Sequence, residues 1–203
     1  MIEREVKLGA SATFLLPDLN GVVPRSEVRE VARRELDATY YDPSDRALAA
    51  QGVTLRHRTG DGAPRWTVKL GRTSRDHVMA REEIDVEGPA GAVPASVRAL
   101  VADHVGASAL LPVARLLSAR DTLEVRVDDA RLAEIDDDLV RVYDGDIEVG
   151  SFREVEVELA ADAPESVLDL LVQRLREAGA GDPDPTSKLV RALRLIDAAG
   201  SPS

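Results

Sequence analysis

The stretch Ile2-Glu3-Arg4-Glu5-Val6-Lys7-Leu8 decides how the rest of the chain is interpreted. If it is a strand, alternation sends both glutamates and Lys7 to one face and the three aliphatic residues to the other. Arg4 is the exception, because it falls on the apolar face. Two carboxylates at this spacing lie about 7 Å apart and, at an effective dielectric of ~20, repel by roughly 2 kcal/mol. An enclosed face would therefore need a cation, and carboxylate oxygens suit Mg²⁺ or Mn²⁺.

Length and composition predict one folded domain with a substantial core. The chain has 203 residues, of which 44% are hydrophobic and 31% are charged. We assign residues 1–199 to a single domain and residues 200–203 to a linker-like tail. The absence of cysteine excludes disulfides, thiolate zinc sites and cysteine nucleophiles, and is compatible with a reducing compartment. A cytoplasmic location is the corresponding expectation.

Charge and hydropathy exclude several classes of partner. The N-terminus opens on charged residues and no apolar run approaches 18 residues, so neither a signal peptide nor a membrane span is expected. The formal net charge of −11 argues against a general nucleic-acid or acidic-membrane surface. An anionic ligand would have to be held locally, by clustered cations or by bridging metal ions.

Hydrophobic periodicity and turn residues predict a chain rich in strands. After the first strand, further strands are expected over 36–42, 53–59, 65–70, 80–87, 113–127, 131–136, 139–143 and 152–159. Helices are expected over 24–32, from Pro43 through Leu48, over 94–105, from a capping box at 162–165 to Gly179, and from Ser187 to near Gly200. The acidic run between residues 136 and 139 is interpreted as a turn.

The charges on these strands are sorted by sign. Acids share a face at Glu3/Glu5 and at Glu154/Glu156/Glu158, and cations do so at Arg56/Arg58 and at Arg65/Lys69. A solvated sheet face usually mixes signs, so that neighbouring strands neutralise each other. A closed barrel accounts for the segregation, with charged faces lining a lumen and apolar faces turned outward under amphipathic helices. A cationic wall for phosphate and an acidic wall for metal are what phosphoryl transfer needs.

A series of motifs in this order resembles a known family. The motifs are Glu3-Arg4-Glu5-Val6-Lys7, Tyr40-Tyr41-Asp42, Leu55-Arg56-His57-Arg58, Thr67-Val68-Lys69-Leu70, Arg81-Glu82-Glu83, the acidic strand 152–159 and Ser187-Lys188-Leu189. They resemble the CYTH domain of the triphosphate tunnel metalloenzymes, which include thiamine triphosphatases, inorganic triphosphatases and class IV adenylyl cyclases. The resemblance implies an α+β fold, an eight-stranded antiparallel β tunnel with helices packed outside.

The resemblance also implies roles for individual residues. It implies Mg²⁺ or Mn²⁺ held by Glu3, Glu5, Asp136, Glu156 and Glu158, with Glu134 as an alternative to Asp136. Glu154 is expected nearer the rim, and which two of the three late glutamates bind metal is left open. The implied triphosphate-binding residues are Arg56, Arg58, Lys69, Arg120 and Lys188. Lys7, Glu5 and Lys69 are the implied catalytic residues, with Lys7 contacting phosphate or activating water. Glu83 and Asp85 are expected to form an inward acidic pair.

The implied function is a metal-dependent triphosphatase that hydrolyses the terminal phosphoanhydride of a triphosphate inside the tunnel. The low aromatic content, 3%, favours inorganic triphosphate over a nucleotide. The alternatives are a class IV-type adenylyl cyclase and a non-catalytic polyphosphate-binding module. In the family such modules often precede a CHAD-type domain, and the linker-like tail allows one here.

Overall fold

The computed structural model describes the backbone of residues 2–70 and 79–200 and the side chains of residues 4–70 and 82–200. Within these residues it contains eight strands and five helices. In chain order they are β1 (Ile2–Ala10), β2 (Glu27–Asp42), α1 (Ala47–Ala50), β3 (Thr54–Thr59), β4 (Arg65–Leu70), β5 (Met79–Glu87), α2 (Ala95–Leu100), α3 (Ala102–Val105), β6 (Leu111–Val127), β7 (Ala130–Asp144), β8 (Ile147–Leu159), α4 (Glu165–Glu177) and α5 (Lys188–Gly200). None of the described helices is both long and apolar enough to span a membrane.

The strands form one antiparallel sheet that curls into a barrel. Their order is β1-β5-β4-β3-β2-β6-β7-β8, and β8 pairs in turn with β1. The β1–β5 ladder is the shortest seam, with four residue pairs. The predicted α+β class and eight-stranded antiparallel tunnel are confirmed.

The predicted helix over 24–32 is wrong. Residues from Glu27 onward form the first half of β2, which pairs with β6 from Glu27↔Arg126 to Asp42↔Leu111. Pro24 lies in the preceding turn, where the Ser26 amide donates to the Val23 carbonyl oxygen at 2.9 Å. Pairing with a strand nearly a hundred residues later decides the conformation, and local periodicity does not.

The predicted turn within 136–139 is also wrong, because β7 runs unbroken from Ala130 to Asp144. Each of its three consecutive aspartates has a partner on a neighbouring strand. Asp136 accepts from the Thr122 hydroxyl at 2.6 Å, Asp137 binds Arg153, and Asp138 binds Arg120. Neutralised in this way, an acidic run is compatible with a strand.

Two of the predicted helices differ from those expected. The helix over 94–105 is two short helices, α2 and α3, which meet at Val101. The helix α4 begins after Pro164 without a side-chain cap, so the capping box does not form. The last helix, α5, ends at Gly200 as expected, and residues 201–203 of the predicted tail lie outside the described residues.

Two apolar clusters cover the outer face of the barrel, as predicted. The first joins outward residues of β1, β7 and β8, such as Leu8, Ile135 and Val157, to the buried face of α4. The second joins β3 and β4 to α1, α2 and α3 around Trp66, which is fully buried and donates its indole N–H to the Pro89 carbonyl oxygen at 3.2 Å. Burial of these faces holds the helices on the sheet.

The fifth helix occupies a different place from the one predicted. Leu189, Ala192 and Leu193 of α5 pack on Val140 and Val142 of β7, together with apolar residues of β2 and β6. These valines alternate in step with Asp136 and Asp138, so they face the interior of the barrel. The inner surface is therefore charged in one half and apolar in the other, and α5 covers the apolar half.

Arg4, the exception in the opening stretch, ties the start of the barrel to its end. Its guanidinium donates to the carbonyl oxygens of Ala160 and Ala161 at 2.8 Å and of Ala163 at 3.1 Å. These carbonyls belong to the turn between β8 and α4. An outward charge is tolerated because it binds three backbone carbonyl oxygens of this turn.

Candidate metal and phosphate site

The charged half of the barrel interior encloses a cavity of about 160 Å³. The predicted site residues that line it are Glu5, Lys7, Arg56, Arg58, Lys69, Arg120, Asp136, Glu156, Glu158 and Lys188. The backbone of Glu3 lies in β1, opposite Arg81, but the Glu3 side chain lies outside the described residues. Ten positions spread over seven elements of the chain therefore converge on one space.

Two arginines of β3 form the core of the cationic wall. No carboxylate among the described residues lies within ion-pair distance of Arg56, and the Nε atoms of Arg56 and Arg58 are buried without a hydrogen-bond partner. Repulsion from Arg56, together with burial, lowers the pKa of Arg58 to about 10. Burial would lower the pKa of Arg56 too, but attraction to Tyr40 and Glu83 outweighs it and raises that pKa. Guanidinium groups held against each other favour a bound anion.

Arg120 of β6 stands where the cationic and acidic walls meet. It donates twice to Asp138, at 2.8 and 2.6 Å, contacts Asp136, and lies 3.4 Å from Glu156. Burial alone would lower the pKa of Arg120, but these carboxylates outweigh it and raise the pKa well above its usual value. The guanidinium is thus oriented by its neighbours and stays charged.

The register of the sheet places carboxylates in a row across three strands. Glu5 of β1 is directly opposite Glu158 of β8, and Glu158 is directly opposite Glu134 of β7. Directly opposed side chains on one face have Cβ atoms about 5 Å apart, and like charges in this arrangement are destabilising. The Glu5 Oε1 atom is buried and accepts no hydrogen bond from the described residues, although Lys7 Nζ lies 3.4 Å away. This row has the hard oxygen donors that Mg²⁺ or Mn²⁺ requires.

The next row joins Lys7, Glu156 and Asp136. Lys7 Nζ donates to the Glu156 carboxylate and is itself buried. Burial would raise the pKa of Glu156, but Lys188, Lys7 and Arg120 outweigh it and hold the pKa well below its usual value. Glu156 is therefore ionised and shared among cations, whereas Glu158 stands opposite another acid.

A third row is closed by Lys188 from the first turn of α5. Its Nζ lies 2.5 Å from Glu154, 3.0 Å from Asp138 and 3.0 Å from Glu156. Burial opposes the charged amine, but the three carboxylates outweigh it and raise the pKa of Lys188 well above its usual value. Both Asp138 and Glu154 are fully buried. The expectation that Glu154 lies nearer the rim is wrong, because α5 covers that part of the strand.

The three acids around Lys188 also have the spacing of a metal site. Asp138, Glu154 and Glu156 each bring one oxygen within 4.8 Å of the others. The lysine already supplies the positive charge at this position, and burial leaves little room for a hydrated ion. The row that contains Glu5 and Glu158, by contrast, lines the cavity.

Asp136 is an acid of the cavity whose protonation is shifted toward neutrality. Burial raises the pKa of Asp136 to about 6, against the opposing effects of Arg120 and the Thr122 hydroxyl. Glu134, the alternative to Asp136, also lines the cavity and lies directly opposite Glu158. Both acids thus belong to the site, one contacting Arg120 and the other completing the carboxylate row.

Strands β4 and β5 supply a further set of paired acidic and basic or hydroxyl side chains. Lys69 of β4 lies 2.5 Å from Glu83 of β5, its direct neighbour in the ladder. Thr67 donates to Asp85 at 2.6 Å. Glu83 lines the cavity beside Lys69. In this structure the inward acid of β5 therefore orients a lysine that points at the cavity.

Sequence reasoning missed Asp138, Tyr40 and Asp61. Asp138 shares its parity with Asp136, so strand alternation would have found it had the acidic run not been assigned to a turn. Tyr40 lies in a recognised motif and lines the cavity next to Arg56. Asp61 lies in the β3–β4 turn, and nothing in its local sequence indicates that it points inward.

Comparison with known proteins identifies the class that this fold and site define. A family model for the CYTH domain matches residues 1–193, and the chain belongs to the CYTH domain family. Two curated relatives, the uncharacterized proteins MT2285 and Rv2226 of Mycobacterium tuberculosis, are each 29% identical over 207 residues, which cover 95% of this chain and 40% of the relative. The chain thus spans about two fifths of the length of the curated relatives it matches.

Solved structures share the fold. HpAC1 from Hippeastrum, an adenylyl cyclase candidate described with a dominant triphosphatase activity, matches with a TM-score of 0.57 and 18% identity over 95% of both chains. PH1819 from Pyrococcus horikoshii matches with a TM-score of 0.52 and 18% identity over 96% of this chain and 98% of that chain. An adenylate cyclase candidate from Bacillus halodurans matches with a TM-score of 0.53 and 15% identity over 82% of this chain and 95% of that chain. At such identities the likeness shows the fold alone.

Proposed function

We propose that this protein is a divalent-metal-dependent triphosphatase that hydrolyses the terminal phosphoanhydride of a linear triphosphate, with inorganic triphosphate as the preferred substrate. One observation carries the proposal. A row of carboxylates headed by Glu5 and a cluster of partly unpaired guanidinium groups headed by Arg56 line the same cavity. HpAC1, which shares the fold, is described with a dominant triphosphatase activity.

The arginines and lysines bind and orient the phosphate chain. Arg56 and Arg58 offer planar two-point contacts to non-bridging phosphate oxygens. Lys69 and Lys188 are each directed at the cavity by a carboxylate partner, Glu83 for the first and Glu154 for the second. Because these charges are fixed before the ligand arrives, little reorganisation is needed as charge develops on the leaving phosphate.

The acidic row fits a divalent cation. We assign Mg²⁺ or Mn²⁺ to Glu5, Glu158 and Glu134, with Glu156 and Asp136 in the adjacent row and Glu3 as a further ligand by family resemblance. When bound, such an ion polarises phosphoryl oxygens and lowers the pKa of coordinated water. Lys7 lies between Glu5 and Glu156, and we assign to its amine a phosphate contact beside the acidic row.

The test is phosphate release from a panel of inorganic triphosphate, thiamine triphosphate, ATP and longer polyphosphate, each with Mg²⁺, Mn²⁺ or EDTA. We expect release from inorganic triphosphate with metal and none with EDTA. The Glu5→Gln variant should lose at least a hundredfold in kcat, because it removes a charge from the metal row and keeps the side-chain shape. Glu177→Gln, which makes the same charge change on the exposed face of α4, is the matched control. Full activity in Glu5→Gln would refute the metal assignment.

The same panel of substrates tests two alternative functions. A cyclase would need a surface for adenine, and among the described residues lining the cavity Tyr40 is the one aromatic. Formation of cyclic AMP from ATP would support that alternative. A non-catalytic polyphosphate-binding module would bind triphosphate without releasing phosphate under any metal. Lys7 and Lys188 already neutralise part of the acidic wall, which is the observation in favour of a module of this kind. A cytoplasmic location and a following CHAD-type domain stay predictions.

A further inference from the structure

The turn between β3 and β4 places an acidic side chain at the edge of the cavity. It spans residues 60–64 and includes Gly60, Asp61 and Gly62, and both glycines have positive φ, +94° and +72°. Gly60 is packed on β2 so closely that an added Cβ would lie 2.0 Å from the Glu35 carbonyl oxygen. Only glycine fits this approach. The direction in which Asp61 points is therefore fixed by the turn.

Asp61 binds three arginines at once. Its Oδ2 atom accepts from Arg58 at 2.9 Å and from Arg65 at 2.8 Å, and its Oδ1 atom lies 3.7 Å from Arg34. Arg65 also donates to the Asp61 backbone carbonyl oxygen at 2.6 Å. Three strands, β2, β3 and β4, thus direct guanidinium groups at one carboxylate.

This cluster continues the cavity outward to solvent. Arg58 and Asp61 line the cavity itself. Side-chain exposure rises from 11% for Arg58 to 25% for Arg65 and 41% for Arg34. The cluster is therefore the outer end of the cationic wall, at the rim where a ligand enters.

One carboxylate does not satisfy three guanidinium groups. The cluster retains a net charge of about two positive units by simple count, and the pKa of Arg58 stays lowered by Arg56 and by burial even with Asp61 beside it. A phosphate group has up to two negative charges and three acceptor oxygens, and it binds the guanidinium fork in the same two-point manner as a carboxylate. The arrangement of the three guanidinium groups thus suits a phosphate group better than the Asp61 carboxylate that now occupies it.

We propose that Arg34, Arg58 and Arg65 form an outer anion subsite that takes a phosphate group of a linear oligophosphate beyond the three held deeper in the tunnel, and that the Asp61 carboxylate occupies this subsite until the ligand displaces it. The inference rests on the proposed function, because it assumes that the deeper cavity holds a triphosphate unit. In this proposal the rim recognises the number of phosphate groups in the ligand and not an organic group.

The experiment measures binding by titration calorimetry in EDTA, where no metal-dependent turnover occurs, with inorganic triphosphate and inorganic tetraphosphate as probes. We expect the wild type to bind tetraphosphate more tightly. Arg34→Gln should weaken tetraphosphate binding about fivefold and change triphosphate binding less than twofold, because one partly exposed charge-assisted contact is lost. Arg33→Gln is the matched control, since the neighbouring Arg33 is 78% exposed and pairs with Asp121 on the other face of β2.

Removing the competing carboxylate should have the opposite effect. Asp61→Asn should tighten tetraphosphate binding about tenfold, whereas Asp103→Asn, an equal change of charge on the exposed surface of α3, should not. Equal affinity of the wild type for the two probes, or an equal loss for both in Arg34→Gln, would overturn the subsite even if Asp61→Asn failed to fold. Phosphate release with Mg²⁺ is scored separately. Length-dependent binding without release overturns the proposed function alone, and release without length dependence overturns the subsite alone.

Discussion

Replacing Asp136 by asparagine should stabilise the metal-free protein and weaken its function. Burial raises the pKa of this acid from 3.8 to about 6, so ionising it is harder in the folded chain than in the unfolded one. Between these two values the native state binds more protons than the unfolded state, and stability falls as the pH rises. The shift corresponds to a cost of about 1.6 kcal/mol at pH 5 and about 3 kcal/mol at pH 8. Asparagine has the shape of the protonated acid and avoids that cost.

The assay is urea denaturation of wild type and Asp136→Asn in EDTA at pH 5 and pH 8. We expect the variant to be the more stable at both values, by about 1 to 2 kcal/mol at pH 5 and about 2 to 3 kcal/mol at pH 8. Asp137→Asn is the control, because this outward neighbour makes two hydrogen bonds to Arg153 and should lose stability. A variant less stable than wild type at pH 8, or a difference that does not grow with pH, would refute the account of Asp136 as a destabilised carboxylate.

Three further predictions concern the lumen and its rim. Lys188→Gln should lower the free energy of unfolding by about 3 to 5 kcal/mol, because it removes the cation shared by two fully buried carboxylates, which keep only Arg120 beside Asp138 and Arg191 beside Glu154. A loss under about 1 kcal/mol in urea titration would contradict this. Gly60→Ala should lower the free energy of unfolding by more than about 2 kcal/mol and Gly62→Ala by about 1 kcal/mol. Both glycines have positive φ, but only a Cβ at residue 60 would meet a backbone oxygen. Equal melting temperatures of the two variants would show that the close approach of Gly60 to β2 does not add to the cost. Arg56→Gln should raise the Kd for triphosphate about tenfold with little change in melting temperature, because relief of its repulsion of Arg58 offsets the loss of its attraction to Tyr40 and Glu83. A large thermal destabilisation would indicate a structural role.

The charged strands could be predicted because alternation along a strand is a local property. Arg56 and Arg58 share a face by spacing alone, and so do Glu154, Glu156 and Glu158. The segregation of acidic and basic side chains onto different strands predicts an enclosed surface. The order of the motifs along the chain indicates the CYTH family. The inward placement of these residues follows from two-residue periodicity and from the helices that cover the other face.

The depth of each side chain in the barrel and the register of the strands could not be predicted, because they depend on contacts between residues that are distant in sequence. The burial of Glu154 is set by Lys188, which arrives with α5 more than thirty residues later. Which late glutamate faces Glu5 is decided by the β1–β8 ladder, where a shift of one residue would turn every side chain over. The first half of β2 was assigned to a helix for the same reason, since its partner β6 lies far along the chain.

The position of α5 has a consequence for the proposed hydrolysis. Since this helix fills the apolar half of the interior, the proposed function implies that a triphosphate enters the charged half, and that the cleaved phosphate leaves it, at the rim that carries Asp61. Substrate and product would then pass through the same opening, one after the other. Departing product and arriving substrate compete for the same arginines, so orthophosphate and pyrophosphate should act as competitive inhibitors, and the reaction should slow as its own products accumulate.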